Sequence, residues 1–198
     1  SLAKGHLKKL IFRSEIFGLH LFEMDIRQHS DVHCKVVSET ISNINPNVDY
    51  LHLSESDKCS LLKKFIRSEQ DVFKINNFKC SKLLLEVFET FKTIKELLEI
   101  DKKLISSYII SMTHSKSDVL EVLYLGKLFG LVSCYEGPLI TDLNIVPLYE
   151  TIPDLESAPE LLSDLFQDEL YDSYLNNKNR FQEIMLGYSC LLYTSPSP

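Results

Sequence analysis

Short apolar runs, each ending in a polar loop and followed by residues of helical period, recur along this chain and restrict its fold more than any other feature. Leu19 to Ile26 (LHLFEMDI) is mostly apolar, brief and bounded by Gly18 and the polar run RQHSD, which suits a buried strand rather than a helix. Arg27 follows at that strand's C-terminal end. Behind it, Cys34, Val37, Ile41 and Ile44 form a helical stripe that stops at Asn45-Pro46. Residues 107 to 112 (SYIISM) are short and rich in aromatic and β-branched side chains, and they run into the polar loop THSKS and the helical stretch DVLEVLYLGKLF. Residues 145 to 149 (IVPLY) repeat the arrangement before Glu150, a loop with Pro153 and Pro159, and the stripe Leu161, Leu162, Leu165 and Phe166. A fourth strand is expected at Glu183 to Leu186, ahead of Gly187-Tyr188-Ser189. Strands separated by helical patterns imply an α/β fold with a parallel sheet or barrel, and in barrels the reactive groups lie at strand C-terminal ends. Arg27, the loop after Met112, Glu150 and Ser189 all occupy such ends.

Outside these units the pattern is helical. Residues 6 to 17 carry Leu10, Ile11 and Phe17 near one face and stop at Gly18. Ser54 and Asp57 form a variant capping box for a helix over 55 to 68, with Leu61, Leu62, Phe65 and Ile66 behind it. Ser81 to Glu99 reads as a longer helix with Leu84, Val87, Phe88, Phe91 and Leu98 on one side. Gly130 to Thr141 has turn residues but no clear period, and reads as a surface loop.

Charge and cysteine usage exclude several classes of function. The 28 acidic against 21 basic residues, a net charge of -7, argue against nucleic acid or an anionic membrane as the main partner, because both demand a positive face. No apolar run approaches the ~20 residues needed to span a bilayer. Five widely spaced cysteines without a C-x-x-C pair suit neither a disulfide framework nor a zinc site, and fit a reducing, cytoplasmic setting. The first residue is not methionine, from which we expect the chain to begin inside a longer protein.

Four stretches together point to a family. FGLHLFEMDIRQHSDVH (17 to 33), SYIISMTHSKSDVLEV (107 to 122), IVPLYETIPDLESAPELLSDLF (145 to 166) and IMLGYS (184 to 189) resemble consecutive motifs of phosphoenolpyruvate carboxylases, in family order and at similar spacings. YLHLSESDKCSLLKKFI (50 to 66) is similar to a helical stretch of the same family, while 67 to 106 and 126 to 143 match only loosely. The resemblance implies a TIM-like (β/α)8 barrel with additional helices, of which about four strands would lie in residues 1 to 189. It also implies a complete enzyme that is a homotetramer inhibited by dicarboxylates, takes phosphoenolpyruvate and bicarbonate, yields oxaloacetate and phosphate, and uses Mg²⁺ or Mn²⁺ to stabilise an enolate oxygen.

Arg27 stands where the family's DIRQ motif places an active-site arginine, and a guanidinium suits phosphate or bicarbonate because its forked donors match paired oxygens. From the residues alone, the simpler reading is an ion pair with Asp25 or Asp31. Glu150 matches the family's glutamate ligand for the divalent ion, and carboxylate oxygens are the donors hard cations prefer. His29 and His33, four apart, would share a helical face, but no further ligand accompanies them, so solvated or capping histidines are expected. His114 and Lys116 are assigned no role.

The match fails at its C-terminal edge. In the family, GYS is followed by a second metal-ligating aspartate and then by a substrate-holding lysine; this chain has Cys190 and Tyr193 there. A thiol is a soft ligand for Mg²⁺ or Mn²⁺, and a phenol carries no positive charge at neutral pH. Residues 190 to 198 (CLLYTSPSP) match nothing in the family and resemble a translated adaptor or frame slip, expected to be disordered. The expectation is therefore a fragment that is inactive by itself. The alternative is a shortened non-catalytic protein that binds subunits of the complete enzyme.

Overall fold

The computed structural model describes residues 5–17, 23–69, 80–135 and 137–188. Its elements run α1 (His6–Phe17), β1 (Met24–His29), α2 (Ser30–Ile44), a 3₁₀ turn (Tyr50–His52), α3 (Glu55–Ile66), α4 (Lys82–Ile100), β2 (Ile105–Ser111), α5 (Lys116–Leu128), β3 (Val132–Ser133), β4 (Ile140–Thr141), β5 (Ile145–Tyr149), α6 (Ile152–Phe166), α7 (Glu169–Asn177) and β6 (Met185–Leu186). Strands β1, β2, β5 and β6 form one parallel sheet in that order, and β3 and β4 pair antiparallel beside it. Apart from the small β3–β4 pair, sequence order and spatial order coincide, so the described sheet has no switch point of the doubly wound kind.

Register fixes which side chains share a face. Arg27 lies beside Ile109, Asp25 beside Ser107 and His29 beside Ser111, while Ile109 lies beside Val146. Because successive side chains alternate, Arg27, Ile109, Ser111, Val146, Leu148 and Glu150 belong to one face, and Tyr108, Ile110 and Ile145 to the other. The second face packs under the helices. There Phe91 of α4 meets Tyr108 and Phe129 with ring centroids 5.3 and 5.8 Å apart, joined by the buried Val36, Val37, Leu62, Leu84, Leu120 and Leu123. Truncating one such buried aromatic typically costs about 3–5 kcal/mol. The first face holds a separate, small apolar cluster of Ile109, Val146 and Leu148 with Met185 against it.

Several expectations need correction. Residues 18–22 lie outside the described residues, and β1 runs from Met24 to His29, so Arg27 sits within the strand rather than at its end. Gly130–Thr141 is not a plain surface loop. Val132, Cys134 and Leu139 are buried, and the Leu139 and Thr141 amides donate to Ser173 Oγ (2.7 Å) and Asn177 Oδ1 (3.1 Å) on α7. Strands of two residues are too short to display an alternation. Gly130, with φ +69, supplies the left-handed turn that ends α5. The expected loop with Pro153 and Pro159 is helical throughout. Thr151 and Asp154 form a reciprocal capping box, Pro153 falls in the first turn where no amide is needed, and Pro159 removes one interior rung. The short α7 was not anticipated. The fourth strand shrinks to Met185–Leu186. Residues 189 to 198, including the non-family tail, lie outside the described residues.

Candidate active site

The alternation IVPLYE carries Glu150 onto the same face as Val146 and Leu148, one residue beyond β5. Arg27 reaches it from β1, across the intervening strand β2. Its Nη2 donates to Glu150 Oε1 at 2.5 Å, and its Nε donates to Ser111 Oγ at the end of β2. The structure thus brings together the two residues singled out from the sequence. Arg27's partners are Glu150 and Ser111, not Asp25 or Asp31. The pair is open to solvent, with 52% of the Arg27 side chain and 25% of the Glu150 side chain exposed.

Glu150 is also held from behind. Its Oε2 accepts the Met112 amide at 3.0 Å, and the Met112 carbonyl accepts from Ser30 Oγ at 2.6 Å. Met112 has φ 55, a left-handed conformation that is costly for a side chain of this kind. On the other flank, Gly187 donates its amide to the Tyr149 carbonyl at 2.8 Å. A Cβ there would stand 3.0 Å from Glu150 Cα and 3.2 Å from the Tyr149 oxygen, so any other residue would crowd this backbone and need it to shift by a few tenths of an ångström. Ser30, Ser111 and Met112 were not picked out from the sequence. Nothing in the residue types marks them, because their role arises from register and from one backbone angle.

The histidines fall elsewhere. His29 caps α2, its Nδ1 accepting the Asp31 amide at 3.1 Å, which is the capping role expected. His33 is not solvated. It is fully buried, its Nε2 is hydrogen-bonded to Tyr108 Oη at 2.8 Å, and burial followed by the proximity of His29 holds its pKa down to about 3. The two histidines therefore do not share a face open to a metal. His114 Nδ1 hydrogen-bonds Asp154 Oδ1 at 2.6 Å, tying the loop after β2 to the first turn of α6. Burial pushes the Asp154 carboxyl up, but hydrogen bonds from Thr151 and His114 outweigh it and leave it below the usual carboxylate range.

Among the described residues no three His, Cys, Asp or Glu side chains gather into a metal-binding group. Glu150 offers the hard oxygen donor that a divalent cation of the Mg²⁺ or Mn²⁺ type takes, but it offers it singly. By themselves the described residues offer one such donor and do not make up a cation site.

The family model for phosphoenolpyruvate carboxylase matches residues 1–190. The chain is 37% identical over 191 residues to the phosphoenolpyruvate carboxylase of Rhodothermus marinus, covering 92% of this chain and 20% of that protein. It is 36% identical over 188 residues to that of Prochlorococcus marinus subsp. pastoris, covering 92% of this chain and 19% of the relative. To that of Corynebacterium glutamicum it is 32% identical over 189 residues, covering 95% of this chain and 21% of the relative. It therefore spans about a fifth of the length of the curated relatives it matches. Among the described residues no helix is long and apolar enough to cross a membrane. The match extends over nearly the whole sequence and includes both Arg27 and Glu150, and the chain belongs to the phosphoenolpyruvate carboxylase family.

Proposed function

We propose that this chain is a segment of a phosphoenolpyruvate carboxylase, a cytoplasmic homotetramer when complete, and that it supplies about four strands of a TIM-like barrel together with part of the active site. The observation that carries this reading is the meeting of Arg27 and Glu150 on one face of a sequentially ordered parallel sheet, at or near its C-terminal edge. Residues 1–189 are the family unit, and 190–198 stand apart from it. The complete enzyme carboxylates phosphoenolpyruvate with bicarbonate to give oxaloacetate and phosphate.

In this reading Arg27 holds an oxyanion, phosphate or bicarbonate, with its forked donors. Ser111 orients the guanidinium through Nε, while Nη2 rests on Glu150 until an anionic ligand takes its place. Glu150 contributes one carboxylate to a Mg²⁺ or Mn²⁺ ion; when bound, that ion supplies Lewis-acid stabilisation of a developing enolate charge. Met112 and Gly187 keep Glu150 at the mouth. Cys190 and Tyr193, standing where the family has its second carboxylate and its lysine, would complete neither the cation site nor the anion site.

The test is oxaloacetate formation by the purified 198-residue chain with phosphoenolpyruvate, bicarbonate and Mg²⁺ or Mn²⁺, coupled to a reporter dehydrogenase. The expected rate is that of a mock preparation. Turnover above it would overturn the assignment of an incomplete site. Co-purification with complete enzyme subunits would favour the shortened binding protein instead.

A further inference from the structure

Glu150 has two oxygens, and the structure treats them differently. Oε1 meets Arg27, a half-exposed side chain on rotatable bonds. Oε2 meets the Met112 amide, a donor that belongs to the backbone and is fixed on both sides. Upstream is β2, bonded to both of its neighbours. Downstream, the fully buried Thr113 donates its amide to the Leu148 carbonyl at 3.1 Å and its hydroxyl to the Ile110 carbonyl at 2.9 Å. The peptide between them is secured by Ser30, itself 2% exposed, which donates to the Met112 carbonyl from the first residue of α2. A left-handed methionine costs roughly 1–2 kcal/mol relative to an ordinary conformation. With φ 55, the residue turns its amide toward the Glu150 carboxylate.

We propose that Ser30 and Met112 are positioning residues that pin Glu150 through Oε2, so that the carboxylate keeps Oε1, the oxygen that meets Arg27, turned toward a ligand. A carboxylate tethered in this way meets a cation with one oxygen and keeps its orientation as Arg27 swings away to an anion. The proposal deepens the reading of Glu150 as a cation ligand, but the tether itself is a property of the chain whether or not a cation binds.

The chain contains three methionines, Met24, Met112 and Met185, so labelling with ¹⁵N-methionine gives three backbone amide signals. Amide exchange into deuterium is measured at each. In the unaltered chain the Met112 amide should be protected. Glu150→Ala should speed its exchange by about tenfold, the effect of losing one such hydrogen bond, with Met24 and Met185 little changed. Ser30→Ala should do the same, and Ser30→Thr, which keeps the hydroxyl, should restore protection; unfolding would instead release all three amides together. Unchanged Met112 exchange in Glu150→Ala, or in a folded Ser30→Ala, overturns the proposal. Adding Mn²⁺ separates the two ideas. Paramagnetic broadening of Met112 ahead of Met24, lost in Glu150→Gln, supports both, whereas a Glu150-dependent Met112 amide that Mn²⁺ leaves sharp upholds the tether and shows that Glu150 alone does not hold the cation in this chain.

Discussion

Glu121 lies on α5 with no exposed surface, and replacing it by glutamine should change how stability depends on pH. Its Oε1 accepts from Tyr50 Oη at 2.8 Å. The groups acting on it are Cys34 on α2, Tyr50 in the 3₁₀ turn, Lys58 on α3, and Asp118 one turn away on α5 itself. Burial, and secondarily the negative charge of Asp118, push its carboxyl up from 4.5 to about 8, against the opposing pull of Tyr50, Cys34 and Lys58. The folded chain therefore keeps a proton that the unfolded chain has released. Stability should be undiminished below about pH 4.5, fall as pH rises toward about 8, and level off above it. At ~1.4 kcal/mol for each tenfold change in proton affinity, the loss is at most about 5 kcal/mol, and local relaxation and water entry bring the expected value to roughly 1–3 kcal/mol. Urea unfolding followed by far-ultraviolet circular dichroism at pH 5.5, 7.0 and 8.5 measures it. Glu121→Gln, which mimics the protonated form, should match or fall below the unaltered chain at pH 5.5 and exceed it at pH 8.5. Parallel profiles for the two proteins would refute the reasoning.

His33 should act at the other end of the scale. Its pKa is held down from 6.5 to about 3, so its stabilising contribution is complete above pH 6.5 and is lost as pH falls through that interval; in His33→Gln the acid limb of the same urea profile should flatten. Arg27→Lys in a complete enzyme carrying this segment keeps the charge but loses the fork and the Ser111 contact, and should lower kcat/KM by at least tenfold; unchanged turnover and unchanged apparent affinity for both substrates would remove Arg27 from the site. Among the described residues β1 and β6 each have a single neighbour in the sheet, and the apolar Leu7, Leu10, Phe12 and Ile16 of α1 are exposed. The isolated chain should therefore self-associate. Light scattering after size-exclusion chromatography should give a mass well above 22.8 kDa, and a sharp monomer peak at that mass would contradict this.

What the sequence reveals here depends on how local the cause is. IVPLY was legible to the residue because a fully buried strand between turn signals leaves an unbroken apolar run, whereas Glu150 was singled out through the family resemblance of the stretch that carries it. Helices with strong caps were legible within a residue or two, as at Ser54 and Ser81. The meeting of Arg27 with Glu150 was not legible from the residues alone. It needs the β1–β2–β5 order and a register, neither of which either segment encodes by itself. Glu121 was hidden for a related reason. In DVLEVLYLGKL a glutamate looks like the solvated face of a helix, but α5 is enclosed nearly all round, from Ser117 through Gly126. Met112 is the extreme case. Methionine has no preference for a positive φ, so only the surrounding hydrogen bonds account for it.

The energetics of the two sheet faces differ in a way that bears on function. On the helix-covered face, close packing of Phe91, Tyr108 and their neighbours accounts for why each residue is there, since removing any one costs several kcal/mol. The opposite face cannot be explained on those terms. An ion pair as open as Arg27 and Glu150 contributes about 0–1 kcal/mol. The left-handed Met112 beside it costs as much or more. That ion pair does not by itself offset placing a strained backbone, a buried serine and a close-approach glycine around one carboxylate that is a quarter exposed. A ligand that needs that carboxylate held in one orientation would account for the arrangement, and this is what supports the proposed reading of the pair as part of a binding site.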